Sequence, residues 1–186
     1  MTPKENMMWY LTVAVVLVAA LGLVNLVFTL GVVRRLREHT ELLSDRQTKR
    51  PEAILEGGGA PDDFVSTTVD GQVLTRDSLR PMTLIAFVSP ACDLCEEQIP
   101  TLLDRARDMP GGRDNVWVVV VGKGPETAPY ADRFRDVATV FVEPGNGSLP
   151  IAFKVNGFPA FGLLDEGGRA VASTFGIARL DLPVAR

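Results

Sequence analysis

Residues 83–100 read TLIAFVSPACDLCEEQIP. The first six, TLIAFV, form an almost continuously apolar run, as in a strand buried on both faces of a sheet. From Asp93 to Arg107 the apolar positions Leu94, Ile99, Leu102, Leu103 and Ala106 fit one helical face, and Pro100 predicts a kink after the first turns. Cys92 and Cys95 therefore fall at a strand-to-helix junction, one helical turn apart. Unpaired N–H groups and the positive end of the helix dipole favour a thiolate at the first cysteine. Cys95 is then placed to attack a mixed disulfide formed at Cys92, which makes Cys92 the nucleophile and Cys95 the resolving thiol.

These are the only two cysteines among 186 residues. A bond between them would close almost no loop and stabilise little, so a chemical role is the better reading. Half of a zinc site lacks its other ligands, because His39, the single histidine, lies far from the pair in a charged stretch. Haem attachment would need a histidine where Glu96 stands. No metal and no cofactor is expected.

Downstream, Val116 to Val121 (VWVVVV) is a second buried strand. Residues 129–135 suggest a helix, residues 139–142 a third strand, and residues 151–155 are ambiguous. Residues 160–164 and 170–174, around Asp165-Glu166-Gly167-Gly168, form a closing hairpin. Upstream, residues 63–69 and 72–75 flank the Asp70-Gly71 turn as another hairpin. Strands alternating with helices, then a hairpin, predict an α/β fold with a central mixed sheet flanked by helices.

Residues 9–33 (WYLTVAVVLVAALGLVNLVFTLGVV) carry no formal charge over 25 positions. As a helix this stretch is long enough to cross a bilayer, with Trp9 and Tyr10 as interfacial anchors. It exceeds the apolar core of a cleaved signal peptide and lacks a basic leader, so a retained transmembrane anchor is expected. Residues 34–48 predict a juxtamembrane helix, and residues 50–61, with Gly57, Gly58, Gly59 and two prolines, a linker. The division is thus anchor at 1–33, juxtamembrane helix and linker at 34–60, and one domain at 61–186. A net charge of −4 gives no electrostatic case for nucleic acid.

Ala60-Pro61-Asp62-Asp63-Phe64, the Asp70-Gly71 turn, the segment from Leu84 through Ser89-Pro90-Ala91-Cys92-Asp93-Leu94-Cys95, and Pro100 resemble the membrane-anchored thioredoxin-like proteins of the TlpA/ResA type. The Ser-Pro-Ala-Cys variant, with its anchor and arginine-rich exit, is closer to the methylamine-utilisation proteins of the MauD type. The resemblance implies a thioredoxin-like fold and a protein thiol–disulfide oxidoreductase that exchanges disulfides with client proteins and with an upstream redox partner. It also implies a cis-proline facing the cysteines. Val155-Asn156-Gly157-Phe158-Pro159-Ala160-Phe161 matches that position, which makes Phe158 and Pro159 the expected substrate-binding residues.

Three departures qualify the transfer. The family's tryptophan before the first cysteine is Ala91. The buried carboxylate that thioredoxins proper carry on the strand leading to the motif is replaced by Ala86. Asp93, Glu96 and Glu97 add negative charge, which disfavours a thiolate, so a reducing or weakly oxidising exchanger is expected.

Two alternatives stand beside this reading. A peroxiredoxin-like peroxidase would use Ser89, three residues before Cys92, but the proline expected four residues earlier is Ile85. A Cu(I)-binding metalloenzyme assembly factor would use both thiolates, without a domain histidine to help. Arg34, Arg35 and Arg37 after the span place the domain in the cytoplasm by the positive-inside rule. The resemblance places it outside the cytoplasm, where disulfides persist, and that is the placement expected here.

Overall fold

The computed structural model describes residues 16–17, 19–23 and 52–182. The chain divides into two compact units, residues 1–49 and 50–186. Residues 16–17 and 19–23 are helical. The rest of the predicted span at 9–33, and the juxtamembrane helix at 34–48 with His39, lie outside the described residues. Among the described residues no helix is long and apolar enough to cross a membrane.

In the second unit, β1 (Val65–Thr67) and β2 (Val73–Thr75) form a two-stranded antiparallel hairpin, followed by β3 (Thr83–Val88), α1 (Asp93–Arg107) and β4 (Val116–Val121). Then come α2 (Thr127–Asp132), β5 (Thr139–Glu143), α3 (Ser148–Ala152), β6 (Ala160–Leu164) and β7 (Ala170–Thr174). The main sheet has the order β5-β4-β3-β6-β7. β3 runs parallel to β4 and antiparallel to β6, and β7 is antiparallel to β6, so the sheet is mixed as predicted.

The apolar runs explain the central strands. Every residue of β3 and of β4 is buried. Their alternation splits the core in two, because successive side chains leave opposite faces. Leu84, Ala86, Val88, Val116, Val118 and Val120 meet Ile99, Leu102 and Ala106 of α1 and Tyr130 and Ala131 of α2. Ile85, Phe87, Trp117, Val119 and Val121 meet Phe64, Phe141, Leu149 and Phe153 on the other face. Burying each such aliphatic or aromatic side chain is worth roughly 1.5–3 kcal/mol.

Residues 53–55 correct the sequence reading, which assigns them to the linker. Ala53, Ile54 and Leu55 are buried in the second core. The Ile54 N–H donates to Ser173 Oγ at 2.8 Å, and the Leu55 N–H to the Phe153 carbonyl at 3.1 Å. A Cβ on Gly162 would collide with Ile54 Cδ1, so the bare backbone of β6 is what admits Ile54. The packed unit thus begins before residue 61, and Gly57, Gly58 and Gly59 turn the chain at its edge rather than linking it.

Two helices also differ from expectation. α2 starts at Thr127 rather than at Pro129, and the ambiguous stretch at 151–155 contributes to α3, which starts at Ser148. Pro129 and Pro150 each occupy the first turn, where a missing N–H costs no helical hydrogen bond, so neither marks the first residue. α1, by contrast, continues through Pro100 to Arg107.

Beyond its own pairing, the β1–β2 hairpin is held to the edge strand β5. Thr68 bridges Phe141, and the Val69 N–H donates to the Val140 carbonyl at 2.9 Å. Buried Glu143 ties three segments together by accepting from Ser66 Oγ and from the Leu149 N–H at 2.8 Å.

Candidate active site

β3, the central strand, delivers the chain to the cysteine motif at its C-terminal end. After Val88 the segment Ser89-Pro90-Ala91 turns, with the Cys92 N–H donating to the Ser89 carbonyl at 3.2 Å. Cys92 is the N-cap of α1, with extended backbone, and its Sγ accepts from the Cys95 N–H at 3.3 Å. A side-chain acceptor at this position satisfies one of the orphan donors of a helix start, and sulfur accepts more strongly as thiolate. The helix dipole acts in the same direction.

The two cysteines, both free thiols, differ in access. Cys92 is half-buried and flanked by exposed Ala91, Asp93 and Leu94, whereas Cys95 is fully buried under α1. Burial pushes the Cys95 thiol up to about 12, helped by hydrogen bonding to the Cys92 sulfur and by the charges of Cys92 and Glu96, against a lowering contribution from the Ser89 backbone. The accessible sulfur can meet a macromolecular disulfide. The buried one can meet only what is already attached to Cys92.

The negative charge read from Asp93, Glu96 and Glu97 is partly offset by a residue that the sequence did not single out. Arg133, just after α2, places Nη1 2.8 Å and 2.9 Å from the two carboxylate oxygens of Glu96. Its guanidinium also lies 5.3 Å from the ring centroid of Tyr130. Ala86, in place of a carboxylate, is fully buried between Val118 and Phe161 in the sheet.

The peptide bond between Phe158 and Pro159 is cis. β6 pairs Ala160 with Phe87, so Pro159 lies one residue beyond that pair, at the end of β3 that leads to Cys92. Pro159 is buried, and Phe158 is half-buried against both cores. Topology thus brings the predicted groove residues to the same end of the central strands as the cysteine motif.

A second recess was not foreseen. A cavity of about 790 Å³ is lined by Leu94, Gln98, Phe175, Ala178 and Arg179 among others, and neither Phe158 nor Pro159 lines it. Gln98 shapes its wall by donating from Nε2 to the Phe175 carbonyl at 3.0 Å and accepting from the Ile177 N–H at 2.8 Å. Leu94, between the cysteines, is 51% exposed at its rim.

No family model matches the chain, and no curated protein sequence does. Among solved structures it is similar to a thio-disulfide isomerase from Thermus thermophilus, at 21% identity and a TM-score of 0.51, over 66% of this chain and 87% of that one. It is likewise similar to the thioredoxin domain of a thiol-disulfide oxidoreductase from Bacteroides vulgatus, at 15% identity and a TM-score of 0.50, over 64% of this chain and 88% of that one. With its mixed five-stranded sheet, a cysteine pair opening the helix after β3 and the cis-proline opposite, the chain has a thioredoxin-like fold.

Proposed function

We propose that the chain is a protein thiol–disulfide oxidoreductase. The observation that carries this reading is the placement of Cys92 Sγ as the half-buried N-cap of α1, with buried Cys95 one turn behind it. In the reducing direction the Cys92 thiolate attacks one sulfur of a client disulfide. That S–S bond breaks, the other client sulfur leaves as thiolate, and a Cys92–client disulfide forms. Cys95 then gives up its proton to a departing client thiolate or to solvent. Its sulfur attacks Cys92 Sγ and frees the second client sulfur. The client gains two electrons and the Cys92–Cys95 pair loses two. An upstream dithiol restores the pair, and oxidation of a client is the same sequence in reverse.

Phe158 and Pro159 are the proposed client contacts, supported by their register position beside the end of β3. Residues 9–33 are the proposed membrane anchor, as a single pass, with the domain outside the cytoplasm. The uncharged length of that segment and the resemblance to tethered proteins of the TlpA/ResA and MauD type support this. The raised Cys95 and the acidic neighbours favour a reducing or weakly oxidising couple. Equilibration of the full chain against glutathione buffers tests the proposal. A two-electron couple well below the potential of strong periplasmic oxidants, about −120 mV, is expected, and a value near it contradicts the weakly oxidising assignment.

A further inference from the structure

The loop that carries Phe158 and Pro159 runs from the end of α3 to the start of β6, and residues 52–56 are bonded along it as a strap. The Leu55 N–H donates to the Phe153 carbonyl at 3.1 Å, and the Asn156 N–H donates to the Ala53 carbonyl at 3.1 Å. The Asn156 side chain adds two bonds, from Nδ2 to Glu56 Oε1 at 3.1 Å and to the Glu52 carbonyl at 3.4 Å. Among the described residues, every hydrogen bond of Asn156 runs to this strap.

The strap has its own hold on the domain, apart from the loop. Ile54 and Leu55 are 0% and 1% exposed in the second core, and the Ile54 N–H is bound to Ser173 of β7. Both sides of the contact pass through a left-handed residue other than glycine, Leu55 at φ 47° and Lys154 at φ 50°. Such a conformation persists where the surrounding structure holds it. Asn156 stands two residues before Phe158. Gly157, between them, lies against the Phe175 ring, where a Cβ would come within 3.4 Å of Cε1. A single residue therefore separates the strapped position from the proposed client contacts.

Resting on the exchange reaction and the client contacts proposed above, we propose that Asn156 is a positioning residue for client binding. It fixes the Phe158–Pro159 segment by tying it to the buried strap at residues 52–56. It takes no part in the sulfur chemistry, and no hydrogen bond joins it to α1 among the described residues. A loop released from the strap samples other positions, and a protein client then meets the cost of ordering it on binding. A small disulfide that needs only Cys92 meets no such cost. Asn156 and Glu56 are both exposed, so substituting them leaves the two cores packed.

Insulin serves as the protein disulfide and Ellman's reagent as the small one, with the full chain as catalyst and dithiothreitol as reductant. Asn156→Asp removes both Nδ2 donors and sets a carboxylate against Glu56. KM for insulin should rise about fivefold, the scale of one hydrogen bond of modest net strength, with kcat and the Cys92 reaction with Ellman's reagent unchanged. Adding Glu56→Gln to Asn156→Asp remakes the bond with donor and acceptor exchanged, and KM should return to within about twofold of the unsubstituted chain. An unchanged KM in Asn156→Asp overturns the inference. So does a raised KM that Glu56→Gln does not restore, or equal slowing of both reactions with a lowered melting temperature. If the unsubstituted chain reduces neither insulin nor Ellman's reagent, the exchange reading itself is overturned.

Discussion

The Sγ of Cys92 caps α1 by accepting from the peptide N–H of Cys95 at 3.3 Å, so the backbone of the second cysteine holds the sulfur of the first. The same turn hides the Cys95 side chain. Division of labour between the thiols thus follows from one helical turn, with the first sulfur facing outward at the cap and the second facing the core.

Alkaline pH should destabilise the reduced domain. Cys95 is raised from an ordinary 9.0 to about 12. Across that window the folded state keeps a proton that the unfolded chain has lost, so stability falls as pH rises, at up to about 1.4 kcal/mol per pH unit for one proton. Tyr130 shifts in the same direction and adds to the slope. Urea denaturation between pH 8 and pH 11 should show this decline, and Cys95→Ala should flatten it. An equal slope in the variant contradicts the assignment.

Gly162→Ala should destabilise the domain by about 1–3 kcal/mol, the usual cost of overpacking a filled core. The added methyl meets the side chain of Ile54. Combining it with Ile54→Ala should recover part of that loss, because the two changes share one space. Additive losses in thermal melts would show that residues 53–55 do not pack on β6 in solution.

Glu143→Ala should cost about 1–3 kcal/mol, by leaving the Leu149 N–H and Ser66 without their buried acceptor. Glu143→Gln should cost less, since one amide oxygen still accepts. Thiol exchange rates should be unchanged in both, because Glu143 lies at the end of β5, on an element apart from the cysteine motif. A slowed Cys92 reaction in either variant would contradict that separation.

What could be read from the sequence was whatever a short window contains. Residues 84–88 and 116–121 are apolar throughout, and short runs of this kind suit a strand covered on both faces. The cysteine motif sits wholly within one strand exit and one helix start, so its geometry followed from those two elements. Arg133 escaped notice because its ion pair with Glu96 joins residues from two different elements, and no spacing within the chain encodes it. Residues 53–55 escaped for a different reason. Three apolar residues beside three glycines carry no period, and only the gap at Gly162, more than a hundred positions later, gives Ile54 a place.

The Cys95→Ser variant tests the central claim most directly. Incubated with a disulfide-containing protein and analysed by mass spectrometry, it should accumulate a mixed disulfide at Cys92. The unsubstituted chain should instead yield the Cys92–Cys95 disulfide and a reduced client, and Cys92→Ser should give neither. A client adduct on Cys95 in Cys92→Ser, or no adduct on Cys92 in Cys95→Ser, would contradict the assignment of Cys92 as nucleophile and Cys95 as resolving thiol.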